Sequence, residues 1–248
     1  GLTDKVGTTG GSKGIGKYAS FVASSFNTVF YSTYAKDEKK QFLGISKLCS
    51  APKPYTDELT MGIGYYGVNK KNEPIERQLN LDKNFSRNTY GTDLFIIGFK
   101  AENNWKQHIL SMLLDSFLVA VYYNELEIRI GDIVVNKESL KEIIEKNELI
   151  IKPLRKSIVS QYILISEVEG VYTKEIDILE YGKVKVFAKS FGKEESEVAT
   201  NNCTMIRYPY MKIKVFPNIS TLPCSAMCII QDNALNGLLK DIENPQHT

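Results

Sequence analysis

Four glycines fall within seven residues near the start of the chain, in the order Gly10-Gly11-Ser12-Lys13-Gly14-Ile15-Gly16. Glycine tolerates positive φ angles and lets backbone N–H groups approach a ligand closely. The helix-like residues 18–26 follow Lys17, and the positive end of such a helix would face the same point. The segment therefore predicts a backbone cradle for phosphate, although a glycine-rich turn is also an ordinary way to build a tight loop.

Two common phosphate-binding motifs do not fit this segment. Gly11 to Lys17 has the G-x-x-x-x-G-K spacing of a Walker A loop, but Tyr18 stands where that loop needs a metal-binding Ser or Thr. No strand can be recognised in residues 1–9, as the dinucleotide-binding fingerprint would require. A third kind of phosphate site is indicated.

The hydrophobic pattern predicts a mixed α/β protein. Residues 28–33 and 42–48 are expected to form a hairpin, and 91–99, which begin with Gly91-Thr92, a central strand. Helical spacing of apolar residues predicts a helix over 105–122 that packs on a sheet. Further strands are expected at 61–67, 125–130, 133–135, 162–168, 176–179, 184–190 and 211–216, and further helices at 136–146 and 234–243.

Composition excludes several classes of protein. The net charge of +2 does not favour a strongly basic nucleic-acid or anionic-membrane surface. The apolar run at 109–123 is interrupted by polar residues and too short to span a bilayer. With only two histidines, the four cysteines favour buried free thiols over a metal site. Free thiols indicate a reducing, cytoplasmic setting, and no secretion leader is recognised at the start of the sequence.

Residues 10–16 and the Gly91-Thr92 strand together resemble the GHKL superfamily of ATP-binding proteins, which includes gyrase B subunits, ninety-kilodalton heat-shock chaperones and histidine kinases. Residues 10–16 match the family's ATP-lid box, Gly-Gly-x-[His/Lys]-Gly-x-Gly, position by position. Residues 91–96 resemble the strand whose Thr helps to hold adenine through a carboxylate and a water. The sequence from Ser12 to Ala19 is similar to the corresponding segment of a bacterial subgroup of large GHKL-type ATPases.

The resemblance implies a Bergerat-type α/β sandwich with a mixed sheet at residues 1–152, followed by a β-rich α/β transducer-like domain at 153–248. It implies ATP and Mg²⁺ as ligands, hydrolysis of ATP by the full-length parent protein, and a lid whose closure is coupled to conformational change. The expected ATP-binding residues are Gly10, Gly11, Ser12, Lys13, Gly14, Ile15, Gly16, Lys17 and Thr92. Lys212 or Lys214 would offer the transducer lysine to the γ-phosphate. The resemblance leaves open a homodimer and a protein or nucleic-acid client.

Two family boxes are not found ahead of the glycine-rich segment: a helix with Glu-x-x-x-Asn, which supplies the general base and a Mg²⁺ ligand, and the adenine-binding Asp-x-Gly-x-Gly. Both precede the lid in the family, so the expectation is that this chain is a fragment, inactive alone as an ATPase, with the Mg²⁺ ligand upstream of Gly1. Asp93 and Asp115 have no second carboxylate to form an acid/base pair. The alternative is a non-catalytic scaffold with a degenerate nucleotide site that binds a protein or nucleic acid.

Overall fold

A computed structural model describes residues 18–69, 71–77, 85, 87–167 and 169–242. Contacts within the chain define two compact units, whose described parts fall within residues 18–102 and 103–242. This division differs from the predicted domains 1–152 and 153–248, and the two units are described separately below.

The first unit, residues 18–102, is built on a four-stranded antiparallel sheet in the order β3-β2-β1-β4. Its elements are the short helix α1 (Ala19–Val22) and strands β1 (Thr28–Tyr34), β2 (Lys40–Lys47), β3 (Ile63–Tyr66) and β4 (Gly91–Ile96). The predicted hairpin is confirmed, because β1 pairs antiparallel with β2 from Thr28 opposite Ser46 to Tyr34 opposite Lys40.

Strand β4 lies at the edge of this sheet, so its prediction as a central strand is wrong. Among the described strands, it pairs only with β1. Thr92 and Leu94 are exposed while their neighbours are partly buried, the alternation of a strand with one covered face. A run of β-forming residues indicates that a segment forms a strand, but it does not indicate how many neighbouring strands pair with it.

An aromatic cluster covers one face of the first unit's sheet. The Phe85 and Phe95 ring centroids are 4.5 Å apart, and the Phe30 and Phe42 centroids are 5.5 Å apart. Tyr66 meets Phe30 edge-on at 5.9 Å. Aromatic side chains carry large apolar areas, and Phe42, which is 1% exposed, is the buried centre of this cluster.

The second unit, residues 103–242, combines four helices with a five-stranded sheet and a two-stranded one. The helices are α2 (Trp105–Tyr122), α3 (Leu140–Glu145), α4 (Lys152–Ser166) and α5 (Asn233–Ile242). The small sheet consists of β5 (Ile128–Ile130) and β6 (Ile133–Val135). The large sheet has the order β10-β9-β11-β8-β7, with β7 (Tyr172–Ile178), β8 (Gly182–Ser190), β9 (Cys203–Arg207), β10 (Met211–Phe216) and β11 (Cys224–Ile230).

Strands β9 and β11 pair in parallel and the other neighbours of the large sheet pair antiparallel. The predicted α/β class with a mixed-orientation sheet is therefore confirmed. That sheet lies in residues 172–230, whereas the sheet that carries Thr92 is wholly antiparallel.

Residues 162–166 belong to helix α4, which has a proline in its first turn, so the predicted strand at 162–168 is wrong over this range. A short apolar run, Tyr162 to Ile165, does not by itself distinguish a strand from a buried helix. The α4 residue Ile158 and the α2 residues Leu110, Leu114 and Leu118 are fully buried in one cluster. Because α2 shares this core with α4, residues 103–152 fall into the same compact unit as the large sheet.

None of the helices in the described ranges combines the length and apolar character that a bilayer crossing needs.

Candidate nucleotide site at the start of strand β4

Of the nine predicted ATP-binding residues, Thr92 alone lies within the described ranges. The lid residues Gly10, Gly11, Ser12, Lys13, Gly14, Ile15, Gly16 and Lys17 lie outside them. The structure therefore bears on the half of the predicted site that surrounds strand β4.

Thr92 lies exposed on β4, directly opposite Thr33 of β1. The two hydroxyl oxygens are 3.1 Å apart and form a hydrogen bond across the strands. A hydroxyl pair of this kind can donate to and accept from a ligand. Thr92, the second residue of β4, is therefore accessible to a ligand from solvent.

Gly91 is required by its conformation and by its neighbour. Its φ angle is +138°, and a Cβ atom there would collide with the guanidinium group of Arg87. The Arg87 Nη2 atom donates a 2.9 Å hydrogen bond to the Tyr90 carbonyl, and Nη1 pairs with the Asp93 carboxylate. The Gly-Thr sequence thus begins β4 at a point where an arginine crosses the backbone.

The Arg87 ion pair also engages the carboxylate nearest to Thr92. The side chains of Arg87 and Asp93 are 23% and 30% exposed, so the pair is largely shielded from water. Asp93 is consequently held as the partner of an arginine.

A shallow depression of about 390 Å³ adjoins Thr92. The Tyr34 and Tyr90 ring centroids in its wall are 5.1 Å apart, and the exposed Lys36 lies on its rim. The lining residues are Thr33, Tyr34, Ala35, Lys36, Tyr90, Gly91 and Thr92. Aromatic rings, hydroxyl groups and a cation together suit a planar ring that carries an anionic substituent.

Lys212, one of the two predicted transducer lysines, is already paired. Its ammonium group contacts the carboxylate of Asp115 on α2, and both side chains are largely buried, 18% and 10% exposed. Ser157 of α4 donates a 2.6 Å hydrogen bond to Asp115 Oδ1, and Gln161 Nε2 donates to the Asp115 carbonyl at 3.3 Å. The other candidate, Lys214, is exposed on β10.

Sequence reasoning missed this buried polar cluster of Asp115, Ser157, Gln161 and Lys212. Its members come from α2, α4 and β10, and Lys212 is 97 residues away from Asp115. No spacing rule connects residues so far apart. One signal was available: Asp115 interrupts an otherwise apolar helix, and a buried carboxylate needs a partner.

The described residues do not fit a Mg²⁺ site. Among them, no group of three or more His, Cys, Asp and Glu side chains is placed to hold a metal ion. The carboxylates of Asp93 and Asp115 each pair with a cationic side chain.

All four cysteines are free thiols. Cys49 is exposed, so the expectation of buried thiols is wrong there, while Cys203, Cys224 and Cys228 are partly buried. Burial raises the pKa of the Cys203 thiol. Burial, with a smaller contribution from Cys203, raises the pKa of Cys228 to about 11. A thiol that keeps its proton is a poor nucleophile, so these two cysteines are not candidates for catalysis.

Comparison with models of known protein families found no match, and comparison with curated proteins found none either.

Proposed function

We propose that this chain binds ATP, with the phosphates cradled by residues 10–17 and the nucleoside held beside Thr92. The observation that carries the proposal is the depression at the start of β4, where the Thr92 hydroxyl, two tyrosine rings and Lys36 adjoin. The glycine-rich lid sequence would bind the phosphates of ATP, and the Gly91-Thr92 strand would bind its base.

The chemistry of the depression supports a nucleotide more than a simple anion. Tyr34 and Tyr90 offer ring surface to a base, and the Thr33 and Thr92 hydroxyls offer hydrogen bonds to its polar edge. Lys36 offers a positive charge, and Lys13 and Lys17 would add point charges for the β- and γ-phosphates. Closure of the lid over the triphosphate would couple binding to conformational change.

Hydrolysis does not follow from the described residues. Asp93 is paired with Arg87 and Asp115 with Lys212, and we assign neither carboxylate the role of general base. No Mg²⁺ ligand set is present among them. The proposal for this chain is therefore weak ATP binding and movement of the lid, with no catalytic step assigned.

A titration with ATP, followed by backbone amide NMR shifts, tests this proposal. We expect shifts at Thr33, Tyr90 and Thr92 and in residues 10–17 at millimolar ATP. Thr92→Val and Lys13→Ala should each weaken binding several-fold, because each removes one polar contact of about 1 kcal/mol. Thr56→Val and Lys141→Ala, changes at exposed positions elsewhere, are the matched controls.

Absence of shifts at millimolar ATP would refute the proposal, as would shifts that Thr92→Val and Lys13→Ala leave unchanged. A triphosphate control without base separates the two halves of the site. Triphosphate alone should change the amide shifts of residues 10–17 and leave those of Tyr90 and Thr92 unchanged.

One observation favours the alternative of a non-catalytic interaction scaffold. Large apolar side chains are exposed on the first unit: Met61 is 83% exposed, and Tyr65 and Leu94 are 45% and 46% exposed. Apolar side chains that are exposed to water can be covered by a partner protein. Under this alternative the same titration would give no shifts with ATP.

A further inference from the structure

Strand β7 is an edge strand whose whole length is open to water. It pairs only with β8 among the described strands, at one end of the order β10-β9-β11-β8-β7. All seven of its residues, Tyr172–Ile178, are exposed. At the opposite edge, Met211, Lys212 and Ile213 of β10 are partly or fully buried. An open edge of this length presents unpaired backbone N–H and C=O groups to an incoming strand.

The two faces of β7 have different chemistry. Tyr172, Lys174, Ile176 and Ile178 share one face, which is apolar apart from the lysine; their partners in register on β8 are Ala188, Val186, Val184 and Gly182. Thr173, Glu175 and Asp177 share the other face, where Lys185 and Lys183 stand opposite the two acidic residues. Side chains of a strand alternate between the two faces, so any strand added to β7 would meet a mainly apolar face and a face with two carboxylates.

Strand β8 already shows which sequence suits β7. In Lys183-Val184-Lys185-Val186, lysines stand opposite the two acidic residues of β7 and valines lie on the apolar side. The Lys185 ammonium lies 5.2 Å from the Phe187 ring centroid. A second strand on the outer edge of β7 would therefore find acidic side chains at the same spacing of two residues.

A second copy of β7 is a poor occupant of this edge. Antiparallel pairing centred on Glu175 would place that residue opposite its own copy. Pairing centred on Lys174 would place two lysines opposite one another, and pairing centred on Ile176 would place Glu175 opposite Asp177. Like charges directly opposite one another destabilise strand pairs.

We propose that the outer edge of β7 binds an extended segment of a partner protein by strand addition, and that this segment alternates basic and apolar residues. The apolar residues cover Tyr172, Ile176 and Ile178, and the basic residues lie opposite Glu175 and Asp177. Backbone hydrogen bonds provide affinity in this mode, and the alternating side chains provide specificity. The inference is independent of ATP binding.

Fluorescence anisotropy with the whole chain tests the proposal. The probe is a labelled peptide of the β8 sequence, Gly182–Lys189, and the control peptide has its three lysines replaced by glutamate. We expect saturable binding of the first peptide and none of the second. Hydrogen exchange should slow in Tyr172–Ile178 when the basic peptide is bound, because strand addition engages these amides.

The variant E175K/D177K should weaken binding of the basic peptide by about tenfold or more, since two attractive cross-strand pairs become repulsive. The matched control is D132K/E138K, which makes the same charge change at exposed positions of the same unit. Circular dichroism of both variants establishes that they are folded.

Three outcomes would overturn the proposal: no binding of the basic peptide, equal binding of the acidic peptide, or equal weakening by both variants. In the first case, the charges on β7 would serve only to keep the edge unpaired. Sedimentation that shows a dimer dissociated by E175K/D177K would assign the edge to a second copy instead.

Discussion

The buried Asp115–Lys212 pair shows how strongly a single residue depends on its partners. Each charge has lost most of its water, and the Coulombic attraction, with the hydrogen bond from Ser157, offsets that cost. Removing one partner leaves the other charge buried and uncompensated. Removing both, with apolar replacements of similar size, avoids this penalty.

We therefore expect Asp115→Leu to destabilise the protein by about 3 kcal/mol, and the double variant Asp115→Leu with Lys212→Met to recover most of this loss. Urea unfolding measures both. The control is the exposed pair Glu142 and Lys146, where Glu142→Ala should change stability little, because exposed ion pairs contribute little. A double variant as unstable as the single one would argue that the pair itself stabilises the fold.

The Cys228 thiol makes the free energy of unfolding depend on pH in the alkaline range. Its pKa rises from 9.0 to about 11, chiefly because it is buried, so the folded protein holds this proton more tightly than the unfolded chain. The contribution is fully present below about pH 9 and is lost as pH rises towards 11. We expect Cys228→Ala to lose less stability than the parent protein between those two values.

Urea unfolding at the two pH values compares these losses, with Cys49→Ala at an exposed position as the control. The comparison uses the change with pH within each variant, so a fixed cost of the substitution cancels. Equal losses for Cys228→Ala and the parent would contradict the assignment.

At the scale of elements, the packing of strands β1 and β2 depends on Gly44, a glycine that lies within a strand and not in a turn. Gly44 lies in the middle of β2, opposite Phe30, whose ring lies across its Cα atom. A Cβ atom at Gly44 would collide with this ring and would come within 2.9 Å of Tyr66 Cβ. On the neighbouring strand β3, a Cβ atom at Gly64 would meet no neighbouring atom within 4 Å.

Gly44→Ala should destabilise the first unit by about 1–3 kcal/mol, because the added methyl group must displace the Phe30 ring. Gly64→Ala is the matched control and should be neutral or slightly stabilising, since alanine restricts the unfolded chain. Hydrogen exchange by mass spectrometry, followed over Thr28–Ile96, measures both. Equal effects of the two substitutions would show that the ring moves aside without cost.

Element types followed from sequence wherever the pattern was long or strongly β-forming. The helix at 105–122 matches α2, the strands at 133–135 and 211–216 match β6 and β10, and the hairpin of β1 and β2 forms as predicted. Strands β9 and β11 were missed; they pair in parallel with each other in the large sheet. The strand predicted at 162–168 was mostly helix, because a short apolar run fits either structure.

At the scale of the whole molecule, the two compact units pack different kinds of side chain. In residues 18–102 an aromatic cluster around the buried Phe42 lies on one face of the sheet, and in residues 103–242 buried aliphatic residues of α2, α4 and the sheets form the core. A hydrophobic core of its own is the basic condition for a domain, and residues 103–242 meet it. The predicted domains 1–152 and 153–248 remain a prediction derived from resemblance.

The candidate site shows the same difference between local pattern and tertiary arrangement. Sequence predicted Thr92 at the start of a strand, and the structure places it there, beside Tyr34 and Tyr90. The tyrosines were not predicted as neighbours of Thr92, because Tyr34 reaches it only through the pairing of β1 with β4. The lid residues 10–17 lie outside the described ranges, and their role stays a prediction.

The order of amino acids alone established the α/β class and most helices and strands, and it predicts a phosphate-binding role for the glycine-rich segment. The assembled fold alone established that β4 and β7 are edge strands, that Asp115 meets Lys212, and that β9 runs parallel to β11. The physical reason is that periodicity records whether a side chain is buried. Its burying partner, often a hundred residues away, is selected only when the elements pack.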